Sequence, residues 1–176
     1  MPADPIQMLY VFAEVYIGFL GFSGLAGIMS RSSWKAKEVA LRFWIVLEMG
    51  FIGLILSSVP ALLSGLIENQ DTVWLIGLIV ALICWAFQSI MFSPKMYRAH
   101  KAGELKSIPK SLNPIYQIPA MLSMLTVIFG LSGIVTYSSS YLIGLFFFTM
   151  AGIGNFICFL VANQKYNDMQ DGEKNI

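Results

Sequence analysis

The strongest constraint on this chain is a set of long apolar stretches, each containing at most one charged residue. A helix that spans a bilayer needs about 20 mostly apolar residues. Five stretches meet that requirement: Ile6–Met29, Phe43–Ile67, Val73–Phe92, Ile115–Val135 and Tyr141–Val161. The sequence therefore predicts an all-α integral membrane protein, with a single membrane domain over residues 1–163 that forms a bundle of five transmembrane helices.

The composition supports a membrane location and argues against a soluble domain. Only 12% of the 176 residues are charged and 57% are hydrophobic, whereas soluble domains carry about 25% charged and about 45–50% apolar residues. The formal net charge of +1 offers no surplus for binding a polyanion. We therefore expect the lipid bilayer as a partner and no nucleic acid.

The basic residues predict the orientation of the bundle. Cytoplasmic loops of membrane proteins are enriched in Lys and Arg, and with five spans three of the connecting or terminal segments lie on one side. Those three segments hold all eleven basic residues: Arg31, Lys35, Lys37 and Arg42; Lys95, Arg98, Lys101, Lys106 and Lys110; Lys165 and Lys174. We expect the N-terminus outside and the C-terminus in the cytoplasm. Residues 93–114 then form a basic cytoplasmic loop, residues 164–176 a polar cytoplasmic tail, and residues 137–141 a turn on the outer side.

Several kinds of chemistry are disfavoured by the residues that the chain lacks. The five apolar stretches contain no Lys or Arg, and the single histidine, His100, lies in the predicted cytoplasmic loop. The sequence contains no CxxC, HExxH or GxSxG motif and no phosphate-binding glycine loop. We therefore expect no enzyme, no catalytic residues, no cofactor and no metal site.

Two carboxylates lie inside the predicted spans, and they are the candidate ion or proton sites. Glu14 belongs to the first span and Glu48 to the second. An ionisable group in the membrane costs at least about 2.5–3.5 kcal/mol and usually faces the bundle interior or water. On the first span Gly18, Gly21, Gly24 and Gly27 predict a helix-packing seam, since small residues let helix backbones approach closely. A hydrogen-bonded structural Glu beside that seam is the alternative.

Other polar residues fall at similar estimated depths, at about 1.5 Å of rise per residue. An inner layer would contain Glu48, Gln88, Ser123 and Asn155. An outer layer would contain Glu14, Ser57, Ser58 and Thr149, with Tyr10 one turn from Glu14 on the same helix face. These residues are predicted to form the polar layers that support the two carboxylates.

The first half of the chain carries a recognisable pattern. Ala13-Glu14, Gly21-Phe22-Ser23-Gly24, Arg31, Trp34, Leu47-Glu48, Pro60 and Trp74 occur in that order. This pattern resembles a group of small uncharacterised bacterial inner-membrane proteins, which implies a multi-pass protein of the bacterial inner membrane and implies no activity. The tripeptide Ala13-Glu14-Val15 is also similar to the first helix of small multidrug resistance transporters, which have no fifth span.

The two membrane carboxylates favour transport over other functions. The first hypothesis is a homo-oligomeric channel or transport protein for a small ion, a cation or a proton, because rings of carboxylates favour cations. The alternatives are a non-transporting scaffold or membrane subunit of a larger complex, and a proton-coupled transporter of small solutes.

Overall fold

The protein is all-helical over the residues that the structure, a computed structural model, describes: 4–29, 37–103 and 113–174. The five helices are α1 (Pro5–Met29), α2 (Lys37–Ser64), α3 (Gln70–Lys101), α4 (Asn113–Leu131) and α5 (Tyr137–Lys174). Each is long and apolar enough to cross a membrane. The predicted fold class, a helical protein with five candidate membrane spans, is confirmed.

The helix ends differ from the predicted spans, mainly because the helices continue past the apolar stretches. α2 begins six residues before Phe43, α3 runs through Pro94 into the predicted loop, and α5 includes most of the polar tail. The predicted turn at 137–141 is wrong, since α5 starts at Tyr137 and the connection lies at 132–136. Hydropathy marks where hydrocarbon ends, whereas a helix continues for as long as its backbone hydrogen bonds do.

Local sequence signals set several of the helix ends. Asp4 caps α1, because its Oδ1 accepts a hydrogen bond from the Ile6 backbone N–H at 3.0 Å. Asn69 caps α3 in the same way through the Thr72 N–H at 3.3 Å. α4 ends at Leu131 and is followed by Gly133, whose φ of 73° is in the left-handed region that glycine adopts readily. There the Gly133 N–H donates to Gly130 O and the Ile134 N–H to Phe129 O, which is a Schellman motif.

α2 and α5 form the centre of the bundle. In each of them 56% of the most apolar window is buried, against 17% in α1, α3 and α4. The larger core cluster joins all five helices and includes Leu9, Met49, Leu78, Val127 and Phe148. A smaller cluster joins α2 to α5 nearer the start of α2, through residues such as Phe43 and Phe159. The three outer helices therefore leave wide faces for lipid or for another protein.

Pro60 and Pro119 each leave a backbone carbonyl of their own helix without its usual N–H donor. Another helix packs against each of these carbonyls. Pro60 has no N–H for the carbonyl of Leu56, four residues earlier. The Tyr141 hydroxyl on α5 donates a hydrogen bond to that Leu56 oxygen at 2.5 Å. Pro119 similarly releases the Ile115 carbonyl, and α5 approaches it at Gly154, where an added Cβ would lie 2.9 Å from the Ile115 oxygen.

The contacts between helices place the described basic residues at one end of the bundle. α1 and α2 are antiparallel, since Tyr16 packs on Gly53 and Gly27 on Phe43. α2 is antiparallel to α5 as well, because Leu56 contacts Tyr141 and Phe43 packs against Phe159. The start of α2 and the ends of α3 and α5 thus share one end, which holds Lys37, Arg42, Lys95, Arg98, Lys101, Lys165 and Lys174. That this end faces the cytoplasm stays a prediction. Arg31, Lys35, Lys106 and Lys110 lie outside the described residues.

Candidate functional site

Glu48 is the carboxylate that the structure places inside the bundle. The residue is half-buried on α2. Both of its carboxylate oxygens are buried, and neither forms a hydrogen bond with any other described residue. Lys95 of α3 acts on Glu48 through an attractive electrostatic interaction but forms no ion pair with it. The charge of Glu48 is therefore enclosed by protein without a direct partner among the described residues.

A cavity of about 280 Å³ lies between α2, α3, α4 and α5 in the same half of the bundle. We call it the polar cavity because amide and hydroxyl groups interrupt its mostly apolar lining. It reaches α2 at Ile45 and Met49, three residues before Glu48 and one after it. Glu48 itself is not part of the lining and adjoins the cavity only through its α2 neighbours Ile45 and Met49. The remaining lining residues are Trp85, Gln88, Ser89, Phe92, Met96, Tyr116, Gln117, Ala120 and Asn155. Amide and hydroxyl groups therefore supply the polarity of this lining on the side away from α2.

Asn155 shows how the cavity is built from helix contacts. Its amide nitrogen donates to Ala151 O at 3.0 Å and contacts the Met49 sulfur at 3.3 Å. Because both amide hydrogens are used there, the group that Asn155 can offer to a ligand is its carbonyl oxygen. Gln88 and Gln117 bring two further amides to the same cavity from α3 and α4.

This arrangement suits a small cation or a proton. Carbonyl dipoles can replace part of the hydration shell of a cation, and a carboxylate beside them supplies the negative charge. Among the described residues, no three His, Cys, Asp or Glu side chains come close enough together to hold a metal ion. A ligand in the cavity would therefore contact neutral amide and hydroxyl groups, with one carboxylate nearby.

Glu14 is far from this cavity, on the exposed side of α1. At about 100° per residue it lies roughly 160° around the helix from Tyr16, which packs against α2. No described residue forms a hydrogen bond with its carboxylate. The structure therefore does not bring the two candidate carboxylates together, and Glu14 faces lipid or another protein.

The predicted glycine seam is only partly used within the chain. A Cβ added at Gly18, Gly21 or Gly24 would meet nothing within 4 Å, whereas one at Gly27 would overlap the Phe43 ring. The face of α1 that carries Glu14, Gly18 and Gly21 is therefore open. We call these three residues the open α1 face.

The close packing of α1 on α2 depends instead on glycines of α2. Gly50 lies under Leu20, where a Cβ would come within 2.6 Å of the side chain, and Gly53 lies under the Tyr16 ring. Gly50 and Gly53 were not among the predicted packing glycines, all of which lie on the first span. The spacing of three residues between Gly50 and Gly53 was the sequence signal that could have predicted this packing.

The residues of the two predicted polar layers do not come together in two groups but take part in several separate contacts. Tyr10, Ser57 and Ser58 line a groove of about 250 Å³ between α1 and α2, and both serine hydroxyls donate to backbone carbonyls four residues earlier. Thr149 bonds to Tyr16 at 2.7 Å between hydroxyl oxygens.

In the inner layer, only Gln88 and Asn155 line the polar cavity beside Glu48. Ser123 belongs to a neighbouring contact, because it accepts a hydrogen bond from the Trp85 indole at 3.4 Å and donates to Gly144 O at 2.8 Å. Tyr116 and Gln117 also line the cavity. The depths estimated from the sequence did not predict this, because both residues lie at the start of the fourth span.

A buried ion pair at the basic end was also missed. Arg42 was predicted to lie in a loop, but it is on α2, where its Nε donates to Glu38 Oε1 at 3.3 Å. Both side chains are 4% exposed. The spacing of four residues between opposite charges was the available signal. Arg42 lies on α2 just before the apolar stretch that begins at Phe43, and its charge is balanced by Glu38 and not by Glu48.

No protein-family model, curated protein or solved structure matches this chain. The function must therefore be argued from the site itself.

Proposed function

We propose that this protein is a homo-oligomeric membrane channel or transport protein for a small cation or proton, and that Glu48 binds the ion. The observation that carries the proposal is the burial of both Glu48 oxygens without a hydrogen-bonding partner among the described residues. A buried charge without a partner raises the free energy of the folded protein. A buried carboxylate that lacks a partner is therefore stabilised by binding a cation or a proton. The adjacent cavity supplies neutral amide and hydroxyl groups that a passing cation can contact.

The open α1 face supports the oligomeric part of the proposal. A carboxylate directed at hydrocarbon costs about 2.5–3.5 kcal/mol on insertion scales, and Glu14 is exposed on the outer side of α1. Gly18 and Gly21 on the same face allow a second helix to approach closely. Contact between two copies through this face covers Glu14.

The experiment is ion flux into proteoliposomes made with the purified protein. We expect Glu48→Gln to lower the initial flux at least about tenfold, which corresponds to about 1.4 kcal/mol, because the amide keeps the size of the side chain and removes its charge. Glu14→Gln should lower flux less, because Glu14 lies away from the cavity. The control is Glu68→Gln, in the exposed connection between α2 and α3.

Two results contradict the transport proposal. One is the absence of flux for any cation or proton in wild-type vesicles, and the other is equal flux in wild type and Glu48→Gln. Either result would favour the non-transporting scaffold, in which the open α1 face binds a partner. Flux of protons alone, coupled to solute movement, would instead favour the proton-coupled transporter.

A further inference from the structure

A groove of about 420 Å³ lies at the basic end of the bundle, between α2 and α3. Three cationic side chains line it: Lys37 from α2, and Lys95 and Arg98 from α3. The other lining residues are Leu41, Ala99 and Ala102, so none of the described residues that line the groove is acidic. We call this feature the basic groove. Its lining shares no residue with that of the polar cavity, although Lys95 also acts electrostatically on Glu48.

The depth of the basic groove matches the headgroup layer of a bilayer. The apolar part of α3 begins at Val73, and about 30 Å of hydrocarbon corresponds to about 20 residues of helix. Hydrocarbon then ends near Ser93, so Lys95 and Arg98 lie roughly 3 and 7 Å beyond it. Headgroups occupy about 5–8 Å on each side. The cations of the groove are therefore at the level of lipid phosphates.

The side chains of the groove combine charge with apolar contact. The Lys95 ammonium group lies 5.2 Å from the centre of the Phe92 ring, a cation–π contact that restricts its position. Lys95 and Arg98 are exposed, and they lie three residues apart on α3, so they share one face. Leu41, Ala99 and Ala102 offer apolar surface beside them. Basic pockets between transmembrane helices are suited to anionic lipid headgroups.

We propose that the basic groove binds the phosphate headgroup of an anionic phospholipid from the adjacent leaflet. Lys95 and Arg98 contact the phosphate, Lys37 adds charge from the opposite wall, and the apolar residues contact the glycerol and the first part of an acyl chain. A zwitterionic lipid carries a cationic group that the groove repels, so the site discriminates by net charge.

The test is lipid binding to the full-length, detergent-solubilised protein, measured by native mass spectrometry during titration with phosphatidylglycerol or phosphatidylcholine. We expect phosphatidylglycerol to bind more tightly than phosphatidylcholine. The double variant Lys95→Gln with Arg98→Gln should bind phosphatidylglycerol at least about tenfold more weakly. Lys101→Gln is the matched control, since it removes one charge from the same helix end outside the groove. Lys95→Arg with Arg98→Lys keeps both charges and should keep binding, which separates loss of the site from loss of the fold.

Three results overturn the proposal. The first is equal affinity of the Gln double variant and wild type for phosphatidylglycerol. The second is equal binding of the two lipids by wild type. The third is displacement of bound phosphatidylglycerol by millimolar inorganic phosphate, which would make the groove a site for free phosphate.

Discussion

At the level of single residues, the structure separates two glutamates that look alike in the sequence. Both are lone carboxylates in apolar stretches, and sequence alone could identify them as exceptional because charged residues are costly in a bilayer. It could not show which one faces inward, because that depends on which side of α1 and α2 packs against the rest of the bundle. Glu48 has buried oxygens, whereas Glu14 is exposed.

Tyr141 illustrates a residue whose role follows only from the contacts between helices. Its hydroxyl satisfies the Leu56 carbonyl that Pro60 leaves without a helical partner. We expect Tyr141→Phe to lower the free energy of unfolding by about 1–3 kcal/mol, because a buried acceptor loses its donor. Unfolding in mixed micelles of mild and denaturing detergent measures this.

Tyr137→Phe is the matched control for that stability measurement. It makes the same change one turn earlier on α5, at a half-buried tyrosine whose hydroxyl has no hydrogen bond to the described residues. Equal stability of the Tyr141→Phe variant and the control would show that the Leu56 carbonyl does not need this donor.

At the level of helices, hydropathy predicted the number of spans and their order, and it was less accurate at their ends. α3 and α5 continue as helices into segments that are polar in sequence, because water outside the membrane solvates polar side chains without breaking backbone hydrogen bonds. The glycine pattern was recognised on α1, but the packing contacts use Gly27 of α1 and Gly50 and Gly53 of α2. Sequence spacing identifies which residues share a face, and only tertiary contacts decide which face is covered.

The open α1 face yields a prediction about assembly. Gly21→Leu adds a large side chain where nothing in the same chain lies within 4 Å, so the fold should be retained. If two copies pack through this face, the added side chain separates them. We expect a shift toward monomer, measured by size-exclusion chromatography with light scattering in mild detergent.

The same substitution at Gly27 gives the contrasting result. A side chain there overlaps the Phe43 ring, so Gly27→Leu should reduce the yield of folded protein rather than change the oligomer alone. A wild-type protein that is strictly monomeric, or a Gly21→Leu variant with an unchanged oligomeric state, would contradict contact through the open α1 face.

At the level of the whole molecule, the bundle is asymmetric along its axis. The polar cavity, Glu48 and the described basic residues lie in one half. The other half contains the packing of Trp74 against Tyr141, with ring centroids 5.7 Å apart, and the groove between α1 and α2. The polar cavity is therefore nearer the basic end. Under the proposed function, passage of an ion past Glu48 to the other side requires either a rearrangement of the bundle or a path between subunits.

The central proposal for this protein is that Glu48 binds a cation or proton inside the bundle. The most direct measurement is the rate at which a membrane-permeant carbodiimide modifies Glu48, followed by peptide mass spectrometry, since only a protonated carboxyl group reacts. We predict that Glu48 is modified, that the transported cation or a rise in pH slows the reaction, and that flux falls in proportion to modification. A Glu48 that is not modified, or whose modification is the same at every pH and cation concentration, would contradict ion binding at Glu48.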